Sequence, residues 1–257
     1  MAQTIPKSAF PAASRLRDIT ALLLVGGMGT RLRAVVSSKP KPLAPVGEVP
    51  FLQLLVLQLR TQGVRQIVMC AGFQAGQIQS EFGDGAKWDM NIRYSNEAEP
   101  LGTAGALKLA APFVAPDTDF LVLNGDSFLE LDISALVGVH RRHAGCATIA
   151  VRRVEDAARY GTVHVGPGNR VTGFAEKLGL HEPGLINGGV YVFRASMLTD
   201  IPGGPVSLEK EVLPYLLEQG VFASEQSGIF IDIGTPEDYS RAQDLYIRLS
   251  QAAIGHQ

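Results

Sequence analysis

The run Ala21-Leu22-Leu23-Leu24-Val25 leads directly into Gly26-Gly27-Met28-Gly29-Thr30-Arg31-Leu32, and Lys39-Pro40-Lys41-Pro42-Leu43 follows closely. A short apolar run ending in glycines reads as a buried strand and its exit turn. Without Cβ atoms the backbone of such a turn passes close to a bulky anion, and successive N–H groups can form a concave anion site. Arg31 adds a planar fork of donors and Lys41 a compact positive charge, both suited to phosphate. The combination points to a triphosphate site. The plainer alternative is a structural turn between a strand and the next element.

Two familiar glycine-loop motifs are excluded. The dinucleotide fingerprint needs a glycine where Leu32 stands, and the P-loop needs a Gly-Lys pair that occurs nowhere in the chain. Outward from this loop, short β-rich runs alternate with helical stretches. Strands are expected over residues 19–25, 66–71, 92–95 and 120–124, and helices over 51–61, 75–81 and 103–110. Such alternation predicts an α/β fold: a mostly parallel sheet covered on both faces, with ligands beyond the carboxyl ends of the strands.

After about residue 145 the texture changes. Runs over 147–152, 161–165, 171–174 and 190–193 come close together, and they are expected to add antiparallel strands and a sugar-binding wall to the same sheet. Thr235-Pro236-Glu237-Asp238 supplies a cap, a proline at the first helical position and acids in the first turn. One helix of roughly three turns should follow, through Leu245 and Leu249. The expected organisation is a loose tail over 1–18 and a single domain over 19–257, with a nucleotide half to about 145 and a sugar half beyond it.

Composition narrows the partners. With 257 residues, a net charge of −2 and no basic block, the chain does not look built for nucleic acid or an anionic membrane. Its longest apolar runs are too short to span a bilayer, and residues 1–18 lack the apolar core of a secretory signal. Cys70 and Cys146 have no metal-ligand spacing and read as core residues in a reducing compartment, consistent with a cytoplasmic location. His140 and His143 are expected on a helix surface.

Candidate chemistry gathers at strand ends. Asp126, after the run 120–124, is placed to hold Mg²⁺, which prefers carboxylates plus substrate phosphate oxygens; an Asx turn is the alternative. Asp232 lies between Ile231 and Ile233, in a run that otherwise looks buried, and buried acids are rare unless paired or metal-bound. Together they make a candidate Mg²⁺ pair. Glu176 and Lys177 end another run, where they fit either sugar-phosphate contacts or an exposed ion pair. Leu101-Gly102-Thr103-Ala104-Gly105 opens a helix whose small residues suit either a flat base or tight packing on the sheet. Glu97, five residues before Gly102, could accept from the N1 and N2 hydrogens of guanine or stand as a loop acid.

Taken together, Gly26 to Leu32, Pro40 to Pro45, Leu101 to Gly105, Gly125-Asp126, Phe174 to Lys177, Asn187-Gly188-Gly189 and Asp232 to Tyr239 resemble the sugar-1-phosphate nucleotidyltransferase family. The resemblance covers nearly all of residues 19–249. It implies the Rossmann-like, mostly parallel mixed sheet of nucleotide-diphospho-sugar transferases and the transfer of a nucleoside monophosphate from an NTP to a sugar 1-phosphate. It further implies that Arg31 binds the β,γ-phosphates, that Lys41 holds phosphate charge nearer the reacting centre, and that Asp126 and Asp232 hold Mg²⁺. Lys177 would meet the sugar phosphate, and Glu176 with Asn187 the sugar hydroxyls. Leu24, Gly26, Gly27, Gly29, Thr30, Gly102 and Thr103 would line the nucleotide, and Gly161 would lie under the sugar.

Within the family, Leu123 to Phe128, Ile186 to Tyr191 and Ser207 to Glu211 resemble the D-glycero-α-D-manno-heptose 1-phosphate guanylyltransferases, which makes GTP the expected nucleotide. Mannose-1-phosphate guanylyltransferases share many of the same features. Two competing readings remain. A nicotinamide-dependent dehydrogenase lacks its third glycine here, and a non-catalytic nucleotide-sugar sensor should have lost Asp126 or Lys177. A homo-oligomer is left open by the sequence.

Overall fold

The computed structural model describes residues 16–255 except 28, 30, 33, 34, 37, 38, 144, 176–178 and 180. Thr30, Glu176 and Lys177 therefore lie outside the described residues. So does most of the expected tail, although Leu16 is buried in the core.

Strand β1 (Thr20–Leu24) is the axis of the fold. It is followed by a tight hairpin, β2 (Pro45–Val46) with β3 (Val49–Pro50), and by helix α1 (Phe51–Thr61). Then come β4 (Gln66–Ala71), α2 (Ala75–Phe82), β5 (Asn91–Asn96), α3 (Gly102–Ala110) and β6 (Asp119–Asn124). β1 pairs in parallel with β4 on one side and β6 on the other, and β5 extends the sheet beyond β4. The chain thus moves outward from β1 through β4 to β5, then returns to β6 on the far side. That reversal opens a crevice beyond the carboxyl ends of β1 and β6.

Alternation along β1 decides which layer each residue serves. Ala21, Leu23 and Val25 join the core beneath α1, α2 and the C-terminal helices. Leu22 joins the opposite core beneath α3. Period-two alternation on a strand covered on both faces produces these two cores. Each fully buried leucine contributes on the order of 1.5–3 kcal/mol.

The second half adds β7 (Ser127–Leu129), α4 (Ile133–Arg142), β8 (Ala147–Val154), β9 (Thr162–Val165), β10 (Val171–Ala175) and β11 (Gly184–Arg194). Short helices α5 (Met197–Asp200) and α6 (Leu213–Leu216), the latter after a π-helical turn over Leu208–Val212, lead to β12 (Val221–Gln226) and β13 (Phe230–Asp232). β11 runs antiparallel to both β6 and β8, as expected, but β12 pairs with β8 in parallel. A separate two-stranded sheet, β7 with β13, sets Asp232 opposite Ser127.

The single C-terminal helix is corrected to two, α7 (Pro236–Asp244) and α8 (Tyr246–Ile254), with a break at Leu245. The β2–β3 hairpin explains the break. Gln243 accepts from Gly47 N and donates to Pro45 O, and the Tyr246 ring lies over Gly47. His140 is likewise not on the surface. It lies on the inner face of α4 with Ile133, Leu136 and Val137, only 2% exposed, its Nδ1 3.1 Å from Thr148 Oγ1. His143 stacks on Phe222 with ring centroids 4.0 Å apart. Among the described residues no helix is long and apolar enough to cross a membrane.

Candidate active site

A cavity of about 510 Å³ occupies the crevice. Leu24, Gly26, Gly27, Lys41, Glu97, Gly102, Thr103 and Asp126 are among its lining residues. Close packing explains most of the glycines around it. A Cβ on Gly26 would stand 2.7 Å from Glu97 Oε1, and one on Gly125 2.7 Å from Leu24 O. Gly29 has φ +56°, and its Cβ would stand 2.8 Å from Lys41 Cβ. Gly27 differs, because an added Cβ there meets no atom of the described residues within 4 Å.

Lys41 enters the cavity from a single helical turn, Lys41–Leu43, fixed by the flanking Pro40 and Pro42. Its Nζ lies 2.6 Å from Asp126 Oδ2 and 3.6 Å from Asp232 Oδ1. The lysine side chain is 9% exposed, against 40% and 38% for the two carboxylates. A sheltered ammonium therefore backs two half-buried acids, of which Asp126 lines the cavity. Asp232 Oδ1 also accepts from Gly234 N at 2.6 Å, and Ile233 N donates to Asp126 O at 3.0 Å. Burial, then the neighbouring Asp126 charge, raises the Asp232 carboxyl above its ordinary range, with Lys41 opposing.

The pair fits a small hard cation. Mg²⁺ binds through one or two carboxylates plus phosphate oxygens and water. Among the described residues no third acid, histidine or cysteine joins them to build an all-protein cage.

Glu97 follows β5, and its Oε2 accepts from Leu101 N at 2.8 Å, while Oε1 lies over Gly26. Burial raises its carboxyl above the ordinary range, partly opposed by the Leu101 N–H. Cys70, on the same wall, has its thiol pushed up to about 12, first by burial and then by Glu97, so it is an inert core thiol. For Gly102 and Gly105 the structure favours packing over a base. Their added Cβ atoms would stand 2.5 Å from Val206 O and 2.7 Å from Gly204 O. The Thr103 hydroxyl accepts from Leu208 N at 2.7 Å and donates to Glu209 Oε2 at 2.9 Å, which ties α3 to the π-helical turn.

Asn187 caps an irregularity in β11. Its Oδ1 accepts from Gly189 N at 2.9 Å and its Nδ2 donates to Tyr191 Oη at 2.8 Å. The Ile186–Thr162 pairing brings Gly161 alongside. Arg31 is exposed and is not among the residues lining the cavity.

Two residues here carried no assigned role in the sequence. Asn124 lines the cavity with a buried Oδ1 that has no hydrogen-bond partner among the described residues, and Phe73 lines the cavity beside Gly72. The polar Asn124 closing an apolar strand was the available signal for the first. Phe73 had none.

A family model described as "Nucleotidyl transferase" matches residues 20–248. The chain belongs to the nucleotidyl transferase family. It is 37% identical over 230 residues to a mannose-1-phosphate guanylyltransferase catalytic subunit beta from Drosophila pseudoobscura pseudoobscura, covering 88% of this chain and 62% of the relative. It thus spans less than two thirds of that relative's length. It is 36% identical over 229 residues to a D-glycero-alpha-D-manno-heptose 1-phosphate guanylyltransferase from Aneurinibacillus thermoaerophilus, covering 87% and 96%. The crystal structure of HddC from Yersinia pseudotuberculosis complexed with GMP-PN superposes with a TM-score of 0.79 at 32% identity, covering 89% of this chain and 99% of that one. The nucleotidyl transferase fold, a mostly parallel mixed sheet flanked by helices, is the one expected from the sequence.

Proposed function

We propose that the chain transfers a guanylyl group from GTP to a sugar 1-phosphate, releasing pyrophosphate. The observation that carries this reading is the Lys41, Asp126 and Asp232 cluster at the edge of a glycine-walled cavity sized for a nucleotide. A sugar-phosphate oxygen attacks the α-phosphorus of GTP, and the bond to the bridging oxygen breaks as pyrophosphate leaves. Attacking and leaving groups are both anions, each phosphate carrying roughly −1.5 to −2 at neutral pH. No general base is needed, so the protein's work is positioning and preorganised positive charge.

Gly26 and Gly27 admit the nucleotide backbone-on, and Glu97 accepts from the guanine edge. Arg31 and Lys41 meet phosphate charge. Asp126 and Asp232 would hold Mg²⁺, which neutralises phosphate charge when bound. Gly161, Asn187, Glu176 and Lys177 serve the sugar phosphate.

The manno-heptose phosphate is the favoured acceptor, because the heptose 1-phosphate relative and the HddC structure match this chain over nearly their whole lengths. Mannose 1-phosphate is the second reading, supported by comparable identity to the longer relatives. Pyrophosphate release with Mg²⁺ tests both, crossing five NTPs against heptose, mannose, glucose and N-acetylated sugar 1-phosphates. GTP with the heptose phosphate is the expected productive pair. Another pair would correct the substrate, and silence across the whole grid would overturn catalysis.

A further inference from the structure

We propose that Arg159 is a positioning residue for the sugar-phosphate side of the site, a role that rests on the guanylyltransferase reading above. It ties the turn carrying Gly161 to the loop that aims the Asp232 carboxylate.

The turn is built before Arg159 acts. Asp156 Oδ1 accepts from Ala158 N at 2.9 Å, Tyr160 N donates to Ala157 O at 2.9 Å, and Ala157 N donates to Glu182 O at 2.9 Å. From this frame Arg159 Nη2 reaches Thr235 Oγ1 at 3.0 Å and Asp238 Oδ2 at 2.5 Å. The next ring, Tyr160, meets Phe230 of β13 edge-on, with centroids 5.6 Å apart. Two consecutive residues thus grip β13 and the start of α7, and Gly161 follows at once. At the other end, Thr235 stands three residues after Asp232, whose Oδ1 is held by Gly234 N.

A helix cap does not explain the arginine. Thr235 Oγ1 already accepts from Asp238 N at 3.2 Å and donates to Asp238 Oδ2 at 2.9 Å. Arg241, on the same helix, lies 3.9 Å from Asp238 Oδ1 and supplies a local cation. Capping and charge balance are therefore available without a side chain 76 positions away. What Arg159 adds is a connection between two loops. Its guanidinium suits that task because one planar group reaches two oxygens, which an ammonium on a flexible stem does less well. Arg159 is half exposed but Asp238 is only 6% exposed, so removing the arginine leaves a sheltered carboxylate to Arg241 alone and costs some stability.

The test uses Arg159→Ala, Arg159→Lys and Asp238→Asn in the full chain, with the substrate pair that the wild type turns over. In Arg159→Ala the KM for the sugar 1-phosphate should rise roughly tenfold while the KM for the nucleotide stays within about twofold, and Arg159→Lys should recover part of the loss. The melting temperature should fall by only about a few degrees, and the kinetics are read well below it. Amide hydrogen exchange, which needs no activity, should quicken over 157–162 and 233–235 in Arg159→Ala and Asp238→Asn. Equal rises in both KM values, or an unmoved sugar-phosphate KM, would overturn the positioning role. Unchanged exchange would overturn the tie itself, even for a wild type inactive on every pair, an outcome that separately removes the guanylyltransferase reading.

Discussion

The two halves of the crevice are built by different means. On the side proposed for the nucleotide, the wall follows directly from strand ends. Gly26 comes two residues after β1, Gly125 and Asp126 follow β6, and Glu97 follows β5, all set by the register of one parallel sheet. On the sugar side, the geometry depends on side chains bridging distant segments. Arg159 reaches Thr235 across 76 positions. Asp232 meets Lys41 only because β13 pairs with β7. A site walled by backbone should tolerate loss of remote contacts, whereas one assembled by bridges should not.

The largest break should come where the halves meet. Asp126→Asn removes a proposed Mg²⁺ ligand that also pairs with Lys41, and Arg31→Ala removes a cation proposed to meet phosphate, so each should lower turnover by roughly 100-fold or more while the chain stays folded. Turnover with Mg²⁺, read beside circular dichroism, checks this. An Asp126 variant with full turnover would remove the metal and phosphate assignment. An active Arg31 variant would place the triphosphate elsewhere.

A second pair of variants separates packing glycines from ligand glycines. Gly29→Ala must strain a positive φ and press on the stem of Lys41, so turnover should fall roughly tenfold with some loss of stability. Gly27→Ala meets no atom of the described residues, so its melting temperature should match the wild type. Any rise in its nucleotide KM then reports the ligand alone. Unchanged kinetics for Gly27→Ala would show that the nucleotide does not approach this backbone.

This asymmetry also governs how much could be read from the chain. The expected strands at 66–71 and 120–124 and the helix at 51–61 agree with the structure to within a residue, because each is a local apolar pattern bounded by its own breakers. The glycine loop and the acids at 126 and 232 were visible as residues. Their convergence on Lys41 was not, since β7 and β13 are each three residues long and carry no periodicity to detect. β12 likewise gives no signal of its parallel partner 74 positions earlier. His140 looked like a surface residue because a polar side chain on an amphipathic helix usually is. It is instead buried, with Nδ1 beside Thr148 Oγ1 and Nε2 3.5 Å from Asp119 Oδ1.

A subtler change tests the reading of the base. Glu97→Gln keeps an oxygen able to accept from Leu101 N, so the loop should hold its shape. The amide's NH₂ cannot accept from guanine as a carboxylate oxygen does. The ratio of GTP to UTP turnover should therefore fall roughly tenfold or more, in line with about 1–3 kcal/mol of discrimination for such a pair. Equal losses with both nucleotides would remove Glu97 as the guanine reader and leave it a structural acid.

The smallest effect on catalysis should come from the sheet end opposite the cleft, where Asp119 begins β6. Its Oδ1 lies 3.5 Å from His140 Nε2 and its Oδ2 accepts from Arg141 Nε at 2.9 Å. The His140 contact first, then Arg141, lowers the Asp119 carboxyl to about 2 against the opposing cost of burial. A folded-state value below the unfolded one means the carboxylate stabilises the fold in full above about pH 4, and that contribution fades as pH falls towards 2. Asp119→Asn should therefore cost on the order of 1 kcal/mol at pH 7, with substrate KM values unchanged. Urea melts from pH 7 down to pH 3 should show the gap between wild type and variant narrowing only below about pH 4. A gap that stays constant through that range would mean that Asp119 acts through packing rather than charge. A changed KM would show that the start of β6 communicates with the nucleotide end, against the local construction argued for that half.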